Sequence, residues 1–300
     1  MGGLFMLQRL KRLGSYLIII VLLPYIITVF LNGPAVTTSA GADEGVIMVE
    51  HEGKETEMSI EEYCIGRLAK EIPVSYEKEA LKAQAVLVRT TVYGQILEAG
   101  SSTVLPDEFW TTDEMRKQWG AGKYSANYDK LKSAWEQTDG QVLMYGDKPA
   151  NVPYCRLTNG NTRDGAEVLL SEDYPYLKIK ECPLDIESKE QMRTIILDEM
   201  DVEVTGTDTA GYVLSVRAGE ETVSGEEFRK TYGLASSCFT LQNYEGKLRI
   251  TTRGVGHGLG MSQYTAGRMA ESGSTFDEIL AYFFEGTELK EVTDIVRDTE

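Results

Sequence analysis

The sequence predicts an α+β fold in which helices alternate with short antiparallel strands. Apolar residues recur at helical spacing between residues 76 and 96, which predicts one long amphipathic helix. After residue 140, short apolar runs alternate with glycine-containing turns, which is typical of antiparallel strands. A chain of 300 residues, 42% of them hydrophobic, can bury a substantial core, so we expect a globular domain.

The N-terminal 31 residues have the character of a cytoplasmic tail and a membrane anchor. Arg9, Lys11 and Arg12 precede an uncharged run whose apolar centre, residues 16–31, is near the ~17-residue lower limit for a membrane span. Basic residues before such a run place the N-terminus in the cytoplasm and the later residues outside. The alternative is a signal peptide cleaved near residues 40–42, but the apolar run exceeds the roughly 7–15 residues usual there. We therefore predict a single-pass membrane protein.

The elements of the exported part follow in chain order. A small-residue linker over residues 32–44 leads into an ectodomain over residues 45–290, and residues 291–300 form a C-terminal tail. Strands are predicted over residues 45–51, 141–145, 152–157, 202–204, 212–217 and 222–223, and a hairpin over residues 239–252. Helices are predicted over residues 60–69, 76–96, 127–137 and 189–200. The aromatic-rich segment 100–140 is interpreted as a helical insertion.

Composition restricts the function classes. The chain has 47 acidic and 30 basic residues, a net charge of −17, which argues against binding of nucleic acid through its phosphates. An anionic wall polymer would also be repelled on average. Recognition of such a polymer must then rest on hydrogen bonds and stacking, which the 16 tyrosines can supply.

The cysteines and histidines give no clear metal or disulfide pattern. Cys64, Cys155, Cys182 and Cys238 all follow the predicted anchor, where disulfides are permitted, but their spacing specifies no pairing and buried thiols fit equally well. The chain has two histidines and no CxxC or HExxH motif, so a histidine-rich metal site is not expected.

The long predicted helix carries an acid, Glu79, in its first turn. Its main apolar stripe is formed by Leu81, Ala85, Val88, Val92 and Ile96. Glu79 projects away from this stripe, on a line through Ala83, Val86 and Thr90 that carries no charge. A carboxyl in apolar surroundings keeps its proton more readily and can protonate a leaving group. The alternative is that Glu79 only complements the helix dipole.

A glycine-rich loop over residues 253–264 follows the last predicted hairpin strand. Four of the seven residues from Gly254 to Gly260 are glycine, which allows unusual backbone conformations and close approach of a ligand or another chain segment. His257 either hydrogen-bonds the backbone to fix this turn or faces the same cleft as Glu79, where it positions a ligand or moves a proton. Ser262 lacks an identifiable acid and the nucleophile-elbow motif, so a serine nucleophile is not indicated.

Taken together, these segments resemble the stage II sporulation protein D family. The matching pieces are residues 60–63, Glu71-Ile72-Pro73, residues 79–85, Arg89-Thr90 and residues 253–266. The likeness covers roughly residues 44–290 in the family's order. The Glu-Ala-Leu-Lys-Ala-Gln-Ala and Gly-His-Gly-x-Gly-Met-Ser-Gln motifs are together highly specific.

The resemblance implies a lytic transglycosylase, a lyase that cleaves stem-peptide-free glycan strands of peptidoglycan to 1,6-anhydro-muramyl products. It implies wall remodelling at the sporulation septum during engulfment, with the catalytic domain outside the membrane on the mother-cell side. The implied partners are glycan strands, a wall amidase that prepares the substrate and a membrane scaffold protein of the engulfment machinery. The alternative is a non-catalytic peptidoglycan-binding protein that stimulates a partner amidase, as amidase-enhancer proteins do.

The family's catalytic acid maps best onto Glu79, and Glu71 is the alternative acid. One acid suffices for this reaction, because the sugar's own 6-hydroxyl attacks the anomeric carbon and no external water is activated. Substrate binding is expected of six further residues: Gln84, Arg89, His257, Ser262, Gln263 and Tyr264.

The chain departs from the family pattern at Cys155-Arg156, where the family usually has His-Ser. Some members carry zinc near this position. With Cys155 in place of histidine we expect no metal and no cofactor, and zinc remains an alternative by analogy with the family. Cys182 can instead face Cys155.

Overall fold

The computed structural model describes residues 45–99 and 103–292. The predicted anchor and linker, and most of the predicted C-terminal tail, lie outside these residues. Within them, helices and short, mostly antiparallel strands alternate along the chain, which confirms the mixed α+β class. No helix in these two ranges is both long and apolar enough to cross a membrane.

The helices are α1 (Ile60–Glu71), α2 (Lys78–Ala99), α3 (Thr112–Trp119), α4 (Ala121–Glu136), α5 (Gly165–Leu169), α6 (Gly225–Thr231), α7 (Gln263–Glu271) and α8 (Phe276–Phe283). The strands are β1 (Val46–His51), β2 (Lys54–Ser59), β3 (Val104–Leu105), β4 (Gln141–Tyr145), β5 (Lys148–Pro149), β6 (Tyr154–Cys155), β7 (Met192–Asp198), β8 (Val202–Thr207), β9 (Val213–Ala218), β10 (Glu221–Ser224), β11 (Phe239–Tyr244), β12 (Lys247–Arg253), β13 (Met261–Ser262) and β14 (Glu288–Glu291). A 3-10 segment, Pro183–Glu187, lies between α5 and β7.

Small sheets surround the helices. Their strand orders are β2-β1-β3, β14-β4-β5, β11-β12-β7, β10-β9-β8 and β13-β6. The β13-β6 pair is parallel and joins Met261-Ser262 to Tyr154-Cys155. This pairing connects the end of the glycine-rich loop to the middle of the chain.

Helix α2 has buried residues on two of its faces. The predicted stripe of Leu81, Ala85 and Val88 packs in one core with α1, which confirms that prediction. Ala83 and Val86 pack in a second core that includes residues of α7 and α8. The uncharged line beside Glu79 is therefore a core face, and it is covered by the C-terminal helices.

The segment 100–140 contains two helices, as its interpretation as helical requires. Its large apolar side chains do not form a separate core. Met115, Leu131 and Trp135 pack in the same core as α1 and α2. These helices are thus part of the main body of the ectodomain.

The prediction of a helix over residues 189–200 is wrong, because the chain forms strand β7 there. Its sequence, Met-Arg-Thr-Ile-Ile-Leu-Asp, places Ile195 and Leu197 on one face, where they pack against a core that includes Ile250. β7 pairs along its whole length with β12, the second strand of the predicted hairpin. Pairing with β12 and the packing of Ile195 and Leu197 therefore outweigh the helical preference of this segment.

Arg89 was expected to bind substrate, but the structure places it in the core, fully buried. Its guanidinium lies 3.6 Å from the Trp135 ring centroid and donates to the carbonyl oxygens of Trp135 at 3.1 Å and Thr138 at 2.6 Å. These carbonyls lie at the C-terminal end of α4, where helices have acceptors without intrahelical donors. Arg89 therefore joins α2 to the end of α4.

We predict that Arg89→Met lowers the free energy of unfolding by about 1–3 kcal/mol, because buried carbonyls lose their donor. Urea unfolding followed by circular dichroism measures this change. Arg116→Leu is the control, since Arg116 is an exposed arginine on α3, and we expect a change of at most about 0.5 kcal/mol. Equal effects of the two substitutions would contradict the structural role of Arg89.

Candidate functional site

The glycine-rich loop packs directly against the chain around β6. Gly258 and Gly260 have φ angles of 79° and 74°, which favour glycine. A Cβ atom on Gly260 would lie 1.9 Å from the carbonyl oxygen of Pro153, and one on Gly258 would lie 2.3 Å from the Tyr212 ring. The absence of side chains at Gly258 and Gly260 therefore permits contact with the Tyr212 ring and the Pro153 carbonyl group.

His257 fixes the conformation of this loop. Its Nδ1 accepts a hydrogen bond from the Leu259 amide at 3.0 Å, and its ring also bonds to the Tyr154 backbone. Burial lowers the pKa of His257, and the nearby Glu226 carboxylate offsets part of that effect. The structure thus supports the first of the two interpretations of His257, the one in which it holds the turn.

Ser262 also has a structural position. Its hydroxyl accepts a hydrogen bond from the Thr265 amide at the start of α7 and donates to Asp185 Oδ2 at 2.7 Å. Asp185 is buried and also accepts from the hydroxyls of Thr158 and Thr265 at 2.7 and 2.6 Å. Burial raises the pKa of Asp185, and these hydroxyl donors oppose the rise. Ser262 therefore helps to satisfy a buried acid.

The donor set near Cys155 does not fit a metal ion. Cys155 and Cys182 are buried thiols, and burial raises the pKa of both, that of Cys182 to about 12. Within residues 45–99 and 103–292, no three His, Cys, Asp or Glu side chains are grouped so that they could hold a metal.

The conspicuous buried acid is Glu71, at the C-terminal end of α1. Its side chain is 7% exposed, and its Oε1 accepts from Arg67 Nε at 2.9 Å and lies 2.8 Å from Arg67 Nη2. Gln84 Nε2 donates to Oε2 at 3.0 Å, and the Tyr154 hydroxyl also bonds to the carboxyl group. Gln263 Nε2 donates to Gln84 Oε1 at 3.1 Å and to the backbone oxygen of Glu71 at 2.9 Å. Gln84 and Gln263 are thus brought together around the alternative acid.

The electrostatics of Glu71 suit an acid that changes its protonation state. Burial raises the pKa of Glu71, while the Arg67 ion pair and the hydrogen bonds oppose the rise. Arg67 Nη1 is buried and, among the described residues, has no hydrogen-bond partner. A proton on Glu71 is therefore favoured by burial, and the carboxylate left after proton transfer is stabilised by Arg67.

Glu79 has different surroundings from those expected. Its Oε1 lies 2.7 Å from Lys82 Nζ, and its Oε2 accepts from the Phe276 amide at 3.0 Å at the start of α8. The side chain is 28% exposed. The uncharged line beside it is core, so the environment is not the apolar cleft that we expected. Glu79 connects α2 to α8, and its catalytic role stays a prediction.

A pocket of ≈ 200 Å³ is lined by residues that include Pro73, Tyr76, Arg156, Glu190 and Tyr264, and Glu71 itself is not one of them. Pro73 follows Glu71 by two residues, and Arg156 follows Tyr154 by two residues. Two residues span at most about 7 Å. Tyr264 is thus the predicted substrate-binding residue that lines this pocket, and it stands next to Gln263.

Sequence reasoning missed several of these residues. Arg67 lies four positions before Glu71 on a predicted helix, so the helical pairing rule could have found this ion pair. Tyr154, Arg156 and Glu190 carried no local signal, because tertiary contacts bring them to α1 and α7.

Comparisons with known proteins agree on one family. A family model described as "Stage II sporulation protein" matches residues 50–145, which include Glu71, Glu79 and Gln84. The chain is 32% identical over 257 residues to stage II sporulation protein D of Bacillus amyloliquefaciens, covering 77% of this chain and 74% of that protein. The protein of that name from Bacillus subtilis (strain 168) gives the same identity and coverage. An amidase enhancer of Bacillus subtilis (strain 168) is 28% identical, covering 75% of this chain and 40% of that protein.

The lowered pKa of His257 predicts a pH dependence of stability. The folded state disfavours the charged ring, so the stability that His257 contributes is fully present above its unfolded value of 6.5 and is lost as the pH falls through the folded value. We expect the difference in unfolding free energy between wild type and His257→Gln to shrink between about pH 7.5 and about pH 5.

Urea unfolding at a series of pH values measures this difference. His51→Gln is the matched control, because His51 pairs at the surface with Asp107 at 3.1 Å and does not contact the glycine-rich loop. The wild-type pH dependence should persist in that variant. A His257→Gln difference that stays constant with pH would contradict the buried neutral ring.

Proposed function

The chain belongs to the stage II sporulation protein D family, and from this membership we propose that it is a lytic transglycosylase of the bacterial cell wall. Its substrate is peptidoglycan glycan without stem peptides, and its products carry 1,6-anhydro-muramyl ends. Its role is septal wall remodelling during engulfment in sporulation. The membership supports the sporulation role, and the amidase-enhancer relative supports a cell-wall role.

The observation that carries the proposal is one buried carboxyl group, Glu71, two residues before Pro73, which lines a pocket together with Arg156 and Tyr264. A hydrolase generally needs two carboxylates, because a water molecule must be activated or a covalent intermediate formed. In the lytic reaction, Glu71 protonates the bridging oxygen as the bond to the anomeric carbon breaks. The 6-hydroxyl of the same muramic acid then attacks that carbon, and the Glu71 carboxylate accepts the hydroxyl proton. One acid completes the cycle without external water.

We assign this role to Glu71 in preference to Glu79, which the sequence alone favoured. Both acids have both carboxyl oxygens bound, Glu79 by Lys82 and the Phe276 amide and Glu71 by Arg67 and Gln84, so burial distinguishes them: the Glu79 side chain is 28% exposed and that of Glu71 is 7% exposed. Glu71 combines burial, a partner able to stabilise its carboxylate, and a neighbouring pocket. Glu79 remains the alternative acid.

The neighbouring residues support this assignment. Arg67 stabilises the carboxylate after proton transfer, and Gln84 and Gln263 fix the orientation of the carboxyl group. Tyr76 and Tyr264 line the pocket, where phenol rings can pack on sugar faces and hydroxyls can hydrogen-bond.

The cellular setting is part of the same proposal. The predicted N-terminal anchor holds the catalytic domain on the outer side of the membrane, on the mother-cell side of the septum. A wall amidase supplies glycan without stem peptides, and a membrane scaffold protein positions the enzyme. Both partners are inferred from the resemblance to the family.

We predict that Glu71→Gln lowers the release of anhydro-muramyl products from stem-free glycan by about 10²- to 10⁴-fold, because the proton donor is lost. Glutamine keeps the shape but leaves the buried Arg67 without its carboxylate, so the thermal unfolding midpoint should fall, and circular dichroism at the assay temperature must show that the variant is folded. Mass spectrometry of the products measures the activity. Glu79→Gln is the matched control, and we expect it to retain most of the activity.

Loss of activity in Glu79→Gln but not in Glu71→Gln would identify Glu79 as the catalytic acid. Products with reducing ends in place of anhydro ends would show an ordinary hydrolase.

The second candidate is a non-catalytic protein that binds glycan and stimulates an amidase. The 28% identity to an amidase enhancer favours it. Retention on stem-free glycan without any cleavage, together with faster release of stem peptides by an added amidase, would establish this alternative.

A further inference from the structure

We propose that Arg156 binds the free lactyl carboxylate of a stem-free muramic acid residue and so strengthens, in this chain, the preference for glycan without stem peptides. This inference rests on the proposed function, because it places the glycan in the pocket beside Glu71. It concerns a residue that departs from the family pattern, since Arg156 stands where the family usually has serine.

The pocket around Arg156 has a fixed backbone. The Tyr264 amide donates to the Arg156 carbonyl oxygen at 3.2 Å. Lys130 Nζ donates to the carbonyl oxygens of Val74 at 2.9 Å and Tyr76 at 2.6 Å, which fixes the backbone at Tyr76, another lining residue. The Tyr76 ring lies against Gly267, where a Cβ atom would be 3.3 Å from the ring. The walls are therefore positioned before a ligand binds.

The charged groups around Arg156 have a net positive charge, which favours binding of an anion. Arg156 Nη2 lies 2.8 Å from Glu190 Oε1, and Glu190 Oε2 lies 3.3 Å from Arg193 Nη2. Two arginines thus share one carboxylate, so this group of three carries a net positive charge. Arg156 is 48% exposed, and among the described residues its guanidinium has no other ion-pair partner than Glu190. A guanidinium has five donors in a planar fork, so most of them remain available to a ligand.

The local positive charge matters because the chain as a whole has a net charge of −17. Repulsion of an anionic polymer is screened over about 8–10 Å at physiological ionic strength, whereas a direct pair with Arg156 acts at contact. The guanidinium fork matches a carboxylate and can bind it with two parallel hydrogen bonds. An arginine in the pocket therefore favours a sugar that carries its own carboxylate.

A contact with the lactyl carboxylate distinguishes stem-free glycan from glycan that carries stem peptides and from polymers without a lactyl group. Muramic acid without a stem peptide exposes a lactyl carboxylate, whereas a stem peptide converts that group to a neutral amide and adds bulk. N-acetylglucosamine polymers have no lactyl group. Burial also raises the pKa of Tyr76 to about 12, so its hydroxyl stays protonated as a donor beside the same anion. Arg156 can thus distinguish the acid from both of the other ligands.

The test measures binding to the full chain carrying Glu71→Gln, so that the ligands are not cleaved. Three oligosaccharides of equal length are compared: stem-free glycan, the same glycan with each lactyl carboxylate converted to its methylamide, and a chitin oligosaccharide. We expect the acid form to bind at least about tenfold more tightly than the amide form, in line with a charge-assisted pair.

Adding Arg156→Gln should remove this difference and leave the affinity for the chitin oligosaccharide unchanged. Adding Arg268→Gln is the matched control, because Arg268 is an arginine of similar exposure that pairs with Glu271 and is not among the residues lining the pocket, and it should preserve the difference. The comparison of acid with amide on the parent protein needs no change at Arg156, so it tests the proposal even if the Arg156 variant is unstable.

Equal binding of acid and amide by the parent, or an undiminished difference in Arg156→Gln, would overturn the role of Arg156. The proposed function would survive either result if the wild type still released anhydro-muramyl ends. Failure of the wild type to release those ends, with the acid preference intact and dependent on Arg156, would overturn the enzyme and keep the carboxylate site.

Discussion

The close contact between the glycine-rich loop and the chain around β6 is the constraint on which the candidate site depends. Gly258 and Gly260 have no side chains, so the loop passes within van der Waals distance of Tyr212 and of the Pro153 carbonyl. This contact allows Met261-Ser262 to pair with Tyr154-Cys155, and α7 begins immediately afterwards. Gln263 thereby reaches Glu71, which is 192 positions earlier in the chain. A side chain on either glycine would separate the two halves of the site.

The buried charged groups differ in how completely they are satisfied. Arg89 donates to the end of α4 and stacks on Trp135, and Arg163 forms an ion pair with Asp208 at 2.5 Å. Burying an unpaired charge is costly, so charged side chains in a protein interior are normally fully paired, and such pairing is typical of residues with a structural role. Glu71 and Arg67 differ, because within the part of the chain that the structure describes Arg67 Nη1 has no hydrogen-bond partner, and Pro73, two residues after Glu71, lines a pocket. An incompletely satisfied buried pair next to a pocket is typical of a functional site.

The net negative charge of the chain disfavours binding of an anionic polymer, whereas the positive charge around Arg156 favours it. The acidic surface lowers the attraction to any polyanion, so under the proposed function we expect nonspecific binding to an anionic wall polymer to be weak. Specific recognition then depends on a few groups in the pocket, including two phenols and one arginine. Affinity for glycan is expected to be modest, with discrimination between glycan types set by those few contacts.

The sequence by itself determined the α+β class, the long helix with Glu79 in its first turn, the hairpin before the glycine-rich loop, and the family. These features depend on periodicity, turn residues and motifs within short segments, which local physical chemistry specifies. It predicted a helix where β7 forms, because pairing with β12 overrides a local preference. Only the tertiary structure decided which acid lies beside the pocket, that Arg89 and Ser262 have structural positions, and that Arg156 faces a cavity. The physical reason is that hydration, pairing and the pKa of a side chain depend on neighbours from distant parts of the chain, and no local pattern encodes those neighbours.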